Sequence, residues 1–343
     1  MNEGSAADPA HTVGIREVAQ RAGVSPGTVS NVLNRPERVA AATRARVEEA
    51  IGELGFVRNG SAATLRAGRS RTVGLVVLDV GNPFFTELAR GVEEAVSDRD
   101  HAVILCDSAE SVDKEGRNLR VLAEQRVRGV LITPVDEQMR LLERLRARGV
   151  AVVLLDYPAP GADQCSVAVD DEKGGELAAA HLIDGGAATI TYVSGPMSIR
   201  QCADRRRGAR RALRAAGRPA RELAEVVVPE MNARNGAVAA QRILDGDRPD
   251  AIFCANDLLA LGVLRTLLQA GLRVPDDIAL IGYDDIEFTA ASAVPLSSVR
   301  QPTRQLGRIA TELLLEECDS PADHAHQQVL FQPELIARES TRR

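Results

Sequence analysis

The sequence predicts an α/β protein, in which a small all-α module is followed by two doubly wound α/β units in tandem. Three observations predict this. Ile15 to Leu33 carries apolar residues at helical spacing on both sides of a glycine. From Thr72 onward, short continuous apolar runs alternate with amphipathic stretches, the pattern of a parallel sheet covered on both faces. Charge is also partitioned: Met1 to Arg71 holds ten arginines and seven acids, or +3, so the remainder carries −6 − 3 = −9. A basic head on an acidic body fits a nucleic-acid-binding module joined to a domain of another kind.

Bulk properties narrow the class. The 343 residues allow two or three domains, and 45% hydrophobic with 26% charged residues is an ordinary globular balance. No apolar run approaches the roughly 20 residues of a membrane helix. Met1 to Thr12 is polar and lacks a basic start and an apolar stretch, so a cytoplasmic protein is expected. Cys106, Cys165, Cys202, Cys254 and Cys318 are scattered, with no CxxC pair and no histidine at ligand spacing. They read as reduced thiols, and neither a metal nor another cofactor is expected.

In the head, Ile15, Val18 and Ala19 share one helical face. Ala19 is small enough for a close helix crossing, and Gly23 tolerates the positive φ of a sharp turn. Ser25 can cap a second helix and Pro26 suits its first turn, with Val29, Val32 and Leu33 on the apolar side. This is a helix-turn-helix whose second helix fits the DNA major groove. A third helix is expected over Ala41–Leu54, opened by Thr43 and closed by Gly55, with Val47, Ala50, Ile51 and Leu54 as its buried stripe. Val57 to Arg66, ended by Gly68, is too short to hold a helix unaided and reads as a linker.

In the body, strands are expected at Thr72–Val80, Ala102–Asp107, Gly129–Thr133 and Ala151–Asp156, with a helix at Phe85–Ser97. A second series begins near Gly174, with strands at Thr189–Ser194, Ala224–Val228, Ala251–Cys254 and Ile278–Tyr283. Two such units invite a ligand between them, at the C-terminal ends of the strands. Polar residues gather there: Asp79 to Phe85, Asp156 and Tyr157, Arg205, Asn256 and Asp257, and Asp284. Asp257 or Asp285 could equally cap a helix, and Phe84 could be core.

The run IREVAQRAGVSPGTVSNVLNRPERVAAATRARVEEAIGELGFVRN resembles the headpiece of the LacI/GalR family of bacterial regulators. The likeness continues through TVGLVV, NPFF, AND, GYDD, VRQP and the C-terminal ARES. The resemblance implies a flexible tail (1–13), a headpiece (14–58), a hinge helix or linker (59–71) and a core of the periplasmic-binding-protein type (72–343). Within that core an N-subdomain takes about 72–170 plus 301–328, and a C-subdomain about 171–300 plus 329–343. By the same resemblance, DNA is contacted by Ser25, Pro26, Gly27, Thr28, Ser30, Asn31, Asn34, Asn59 and Leu65. Leu65 matches a leucine that wedges into the minor groove, and Asn31 can pair with adenine or serve a phosphate or water contact. Effector-contacting positions correspond to Phe84, Phe85, Asp156, Arg205, Asn256 and Asp284, with Met231 where relatives place a stacking aromatic. Arg200 beside Arg205 would suit an acidic group. The departures are Gly14, Arg58, Ala63 and Asn31, which stand where relatives favour other residues, and Gly60 lowers the helix propensity of the hinge.

The function expected is a sequence-specific repressor controlled by a sugar, sugar acid or nucleoside-like molecule, acting as a homodimer on near-palindromic double-stranded DNA. It would have no membrane partner. Control by a protein partner stays open. A solute-binding protein would share the body but not residues 14–66. An enzyme is not expected: no serine or cysteine has a companion base, no phosphate loop appears, His181 lies in a helical stretch, and His101, His324 and His326 look exposed.

Overall fold

The computed structural model describes residues 13–56, 70–135 and 140–342. They fall into two units, Met1–Arg69 and Ser70–Arg343.

In the first unit, α1 (Ile15–Ala22) ends at Gly23, which takes φ 64° and turns the chain. The Ser25 hydroxyl accepts the Thr28 amide at 3.1 Å and caps α2 (Pro26–Asn34), with Pro26 in the first turn. These are the local devices the sequence announced. α3 (Ala41–Leu54) ends at Gly55, φ 60°. Thr43 does not open it: the helix starts after Ala40 with no side-chain cap, and the Thr43 amide donates to the Ala40 carbonyl. Val18, Val29 and Val47, one from each helix, are fully buried and meet at the centre with Ala19, Ala22, Val32 and Ala50. Ile51 and Leu54 only flank this core.

The second unit holds two parallel sheets. The first contains β1 (Thr72–Val77), β2 (Ala102–Asp107), β3 (Gly129–Ile132), β4 (Ala151–Leu155), β5 (Ser166–Val169) and β11 (Gln328–Phe331). Their order is β11-β5-β4-β3-β1-β2. The second sheet is formed by β6 (Ile190–Ser194), β7 (Leu223–Val227), β8 (Ala251–Cys254) and β9 (Ala279–Ile281), in the order β7-β6-β8-β9. A short antiparallel pair, β10 (Ser298–Arg300) and β12 (Glu334–Ile336), lies where the chain passes between the sheets. The last crossing comes later than the resemblance implies. Residues 329–331 are expected in the C-subdomain, yet Val329, Leu330 and Phe331 pair with Val167, Ala168 and Val169 in the first sheet.

Helices cover these sheets. α4 (Pro83–Ser97), α5 (Val112–Glu124), α6 (Arg140–Arg146) and α12 (Thr303–Asp319) serve the first, and α7 (Asp171–Asp184), α8 (Arg200–Ala215), α9 (Ala233–Leu244) and α10 (Asp257–Gln269) the second. A one-turn helix, α11 (Glu287–Ala290), follows β9. Several strands stop short of their apolar runs: β1 ends at Val77 rather than Val80, and β9 at Ile281 rather than Tyr283. Leu78 and Asp79 leave the ladder after β1 to line a cleft. Strand order reverses beside β1 in one sheet and between β6 and β8 in the other, and ligand crevices open at such points. Among the described residues, no helix is long and apolar enough to cross a membrane.

Candidate functional site

At the C-terminal ends of the strands, one cavity is lined by Phe84, Phe85, Asp156, Arg205, Met231, Asn256 and Asp284. These are the effector residues expected from sequence, brought together from six loops and helix ends. Asn82, Glu110, Ile199 and Gln201 join them. Gln201 sits one helical turn before Arg205 on α8, so an i, i+4 reading could have found it. Glu110 follows β2, where the same strand-end rule applied.

Each side chain has a local reason for its place. Asn82 caps α4, its Oδ1 accepting the Phe84 amide at 3.0 Å. Its Nδ2 reaches across to donate to Asp284 Oδ2 at 3.3 Å, joining a loop of the first sheet to a loop of the second. Phe84 and Phe85 meet edge to face with centroids 5.0 Å apart. Phe84 is both core, at 4% exposure, and cavity wall. Asn256 lines the cavity, but its carboxamide is occupied: Oδ1 caps α10 through the Leu259 amide, and Nδ2 donates to the Met231 carbonyl at 3.0 Å. Asn256 therefore holds Met231 in position. Asp257 and Asp285 are not helix caps. Asp257 accepts from Ser298 Oγ and the Ile286 amide, and Asp285 pairs with Arg300 and Arg338.

Arg205 is buried and largely spoken for. Its Nε contacts Asp171 Oδ1 at 2.7 Å, its Nη1 donates to the Ala255 carbonyl, and its guanidinium lies 3.6 Å above the Tyr283 ring. Arg200 does not stand beside it. It pairs with Asp204 at 3.3 Å and lies over Tyr157, near the cleft mouth. The expected arginine pair for an acidic ligand is thus not formed.

The carboxylates dominate the electrostatics. Asp284 accepts from Gln301 at 2.8 Å, and Arg205 is 3.8 Å away. Burial pushes its pKa up to about 6, against the pull of Arg205, Asn82 and Gln301. Burial, reinforced by Asp171, raises Asp156 well above the usual range. Gln201 donates to Asp156 Oδ2 at 3.0 Å, while the buried Oδ1 has no partner. Glu110 is raised to about 7 by burial and by the nearby Asp79, Glu230 and Asp107. Glu110, Asp156, Asp284 and Asp285 all adopt positive φ (55°, 52°, 105° and 55°). Such backbone strain persists where surrounding structure over-determines it, as at ligand clamps.

The cavity encloses about 30 Å³, room for roughly one water. It widens past Leu78, Glu110, Ile199 and Gln201 into a mouth of about 280 Å³. A larger molecule must part the loops that now hydrogen-bond across the centre.

In the headpiece, Ser25, Pro26, Gly27, Asn31 and Asn34 are exposed on or beside α2, and Thr28 and Ser30 are half-buried. The Asn34 amide folds back on the Ser30 carbonyl at 2.7 Å. Asn59 and Leu65 lie outside the described residues.

The cysteines among the described residues are free thiols. Sequence spacing offers them no histidine neighbours, but the fold brings His324 and His326 to Cys165. His324 is half-buried there rather than exposed.

Residues 14–59 match the profile described as bacterial regulatory proteins, lacI family. Residues 179–341 match a periplasmic binding protein-like domain. The chain is 36% identical over 332 residues to the HTH-type transcriptional repressor PurR of Photobacterium profundum, covering 96% of this chain and 98% of that protein. Among solved structures, a lac repressor dimer bound to operator and the anti-inducer ONPF is similar at 28% identity, TM-score 0.83, covering 96% of this chain and 99% of that one. A complex of the transcriptional regulator CelR with cellobiose is 32% identical with TM-score 0.71, again covering 96% and 99%.

Proposed function

Because this chain belongs to the LacI family of bacterial regulatory proteins, we propose that its cleft takes a neutral, hydroxyl-rich molecule, a sugar or nucleoside-like compound, whose binding alters the hold of α2 on an operator. The protein is a DNA-binding transcriptional repressor under small-molecule control. The observation that carries the effector class is the cavity's charge. Asp79, Glu110, Asp156 and Asp284 face a single guanidinium, that of Arg205, already paired with Asp171. An acidic ligand would stand beside Asp284, ionised at pH 7.5, with no cation left to neutralise it. Hydroxyl donors suit the unpartnered Asp156 Oδ1, and the Phe84 and Phe85 faces suit a sugar or base surface. Cellobiose, the ligand of the CelR relative, is a molecule of this kind.

The Asn82–Asp284 bond supplies the coupling. A ligand that enters must replace this contact between loops of the two sheets, so occupancy and subdomain arrangement are linked. On DNA, α2 would present Ser25 to Asn34 to the major groove, with Asn31 reading a base edge. Asn59 and Leu65 would act in the minor groove. The operator-bound form would be a homodimer, because a lone headpiece makes too few contacts. Leu105 on the edge strand β2 and Val112 and Val121 on the following α5 are 45%, 48% and 50% exposed, apolar surface that a second copy could cover.

An operator selected from random DNA by the full-length protein provides the assay. Fluorescence anisotropy is measured with neutral sugars, nucleosides and sugar acids. A neutral ligand should shift operator affinity, and Asp284→Ala, which removes a ligand contact together with the bond to Asn82, should weaken ligand binding by about 1–3 kcal/mol and move ligand-free operator affinity toward the ligand-bound value. A response to sugar acids alone, retained in Asp284→Ala, would overturn this reading of the cleft.

A further inference from the structure

At the opposite ends of the first sheet's strands, Cys165, Glu317, His324 and His326 converge, with one donor atom from each lying within 4.8 Å of every other. Cys165 immediately precedes β5, Glu317 is in the last turn of α12, and the histidines belong to the loop between α12 and β11. Cys165 Sγ is 3.1 Å from His324 Nε2 and 3.6 Å from His326 Nδ1. Zinc bonded tetrahedrally to sulfur at about 2.3 Å and nitrogen at about 2.0–2.1 Å sets those two ligand atoms roughly 3.5 Å apart. The two sulfur–nitrogen spacings bracket that value, and the remaining donor pairs, within 4.8 Å, need only a small closure around an ion.

Other features agree. Glu317 Oε2 is buried without a hydrogen-bond partner. The Gln327 amide points at the sulfur at 3.3 Å, the kind of outer-sphere bond that orients a metal thiolate. The Ser166 amide bonds the Gln327 carbonyl at 3.0 Å, so backbone pairing holds the cysteine beside the histidine loop. Exposed His326 offers the way in.

We propose that these four side chains bind one divalent late transition-metal ion of the zinc class in a closed site. One sulfur, two imidazole nitrogens and a carboxylate are donors that such an ion accepts. Binding replaces the thiol proton with the metal, and the proton passes to solvent. Four protein ligands leave no open position, so the role is structural: the ion staples the loop before β11 to β5 and α12. β11 is an edge strand with β5 as its neighbour, and the chain passes directly from it to β12. Fixing the loop fixes that edge.

The test uses the full-length protein, stripped with a chelator and titrated with Co²⁺. One Co²⁺ per chain is expected, with a near-ultraviolet thiolate charge-transfer band and the intense visible bands of tetrahedral cobalt, all lost on adding Zn²⁺. Cys165→Ser should remove the charge-transfer band. His326→Ala, at an exposed position that should spare the fold, should weaken Co²⁺ binding at least about tenfold and abolish any rise in melting temperature with Zn²⁺. Circular dichroism confirms that each variant is folded. Weak, octahedral cobalt spectra, or a Co²⁺ affinity unchanged in His326→Ala, would overturn the site and leave a thiol–imidazole hydrogen-bond cluster.

Discussion

The headpiece and the cleft solve opposite problems. The headpiece keeps its working face outside and its small apolar core inside, with no fully buried side chain larger than valine among its described residues. Its turns and caps link residues three to five apart, as in Ser25 with Thr28 and Val24 with Ala19. The cleft buries its working residues. Arg205, Asp156 and Asp284 are 4–6% exposed, and one of its hydrogen bonds joins residues 202 positions apart. A surface reader needs only a rigid local frame. A site that must strip water from a ligand needs buried polar groups, which the whole fold has to satisfy.

The largest expected effect tests whether the core's helix packing is as unforgiving as this contrast implies. At Gly208 on α8, a Cβ would strike the Glu172 carbonyl on α7 and come within 2.6 Å of the Glu176 amide. Gly208→Val should cost about 3 kcal/mol or more, because backbone cannot move aside as a side chain can. Urea unfolding followed by circular dichroism reads it. A variant with near-normal stability would show the core to be more plastic than the contrast allows.

Next comes the energetic cost of a buried site. Asp284 is raised from 3.8 to about 6 in the folded state, chiefly by burial. Holding a proton more tightly when folded adds stability that is complete below about pH 4 and is lost as pH rises through 6. By pH 7.5 the loss is on the order of 3 kcal/mol, about two-thirds of it above pH 4.5. Asp284→Asn does not titrate, so its stability relative to the unmodified protein should rise between pH 4.5 and 7.5. A difference constant over that range would remove Asp284 from the list of strained groups.

The smallest effect belongs to the headpiece. Gly23 has φ 64° and open space where a Cβ would go. Gly23→Ala should therefore cost only about 1 kcal/mol, from the left-handed backbone alone. Its signature is weaker operator binding with an unchanged melting transition of the core. A drop in core stability would break the separation between the two regions.

The sequence by itself determined the helix-turn-helix, because glycine turns, a serine cap and helical spacing act within a few residues. It determined both sheet units and most of the cleft lining, because residues at the C-terminal ends of parallel strands share one side whatever the loops do. Tertiary structure alone decided what those residues do there. That Asn256 holds Met231, that Asp171 neutralises Arg205, and that Asn82 clasps Asp284 depend on contacts spanning 25, 34 and 202 positions. The same holds for the pairing of residues 329–331 with the first sheet, and for the approach of His324 to Cys165 across 159 positions. Local rules fix which elements form. Which distant side chains meet depends on how packed helices and sheet edges close around one core, and no spacing along the chain encodes that distance.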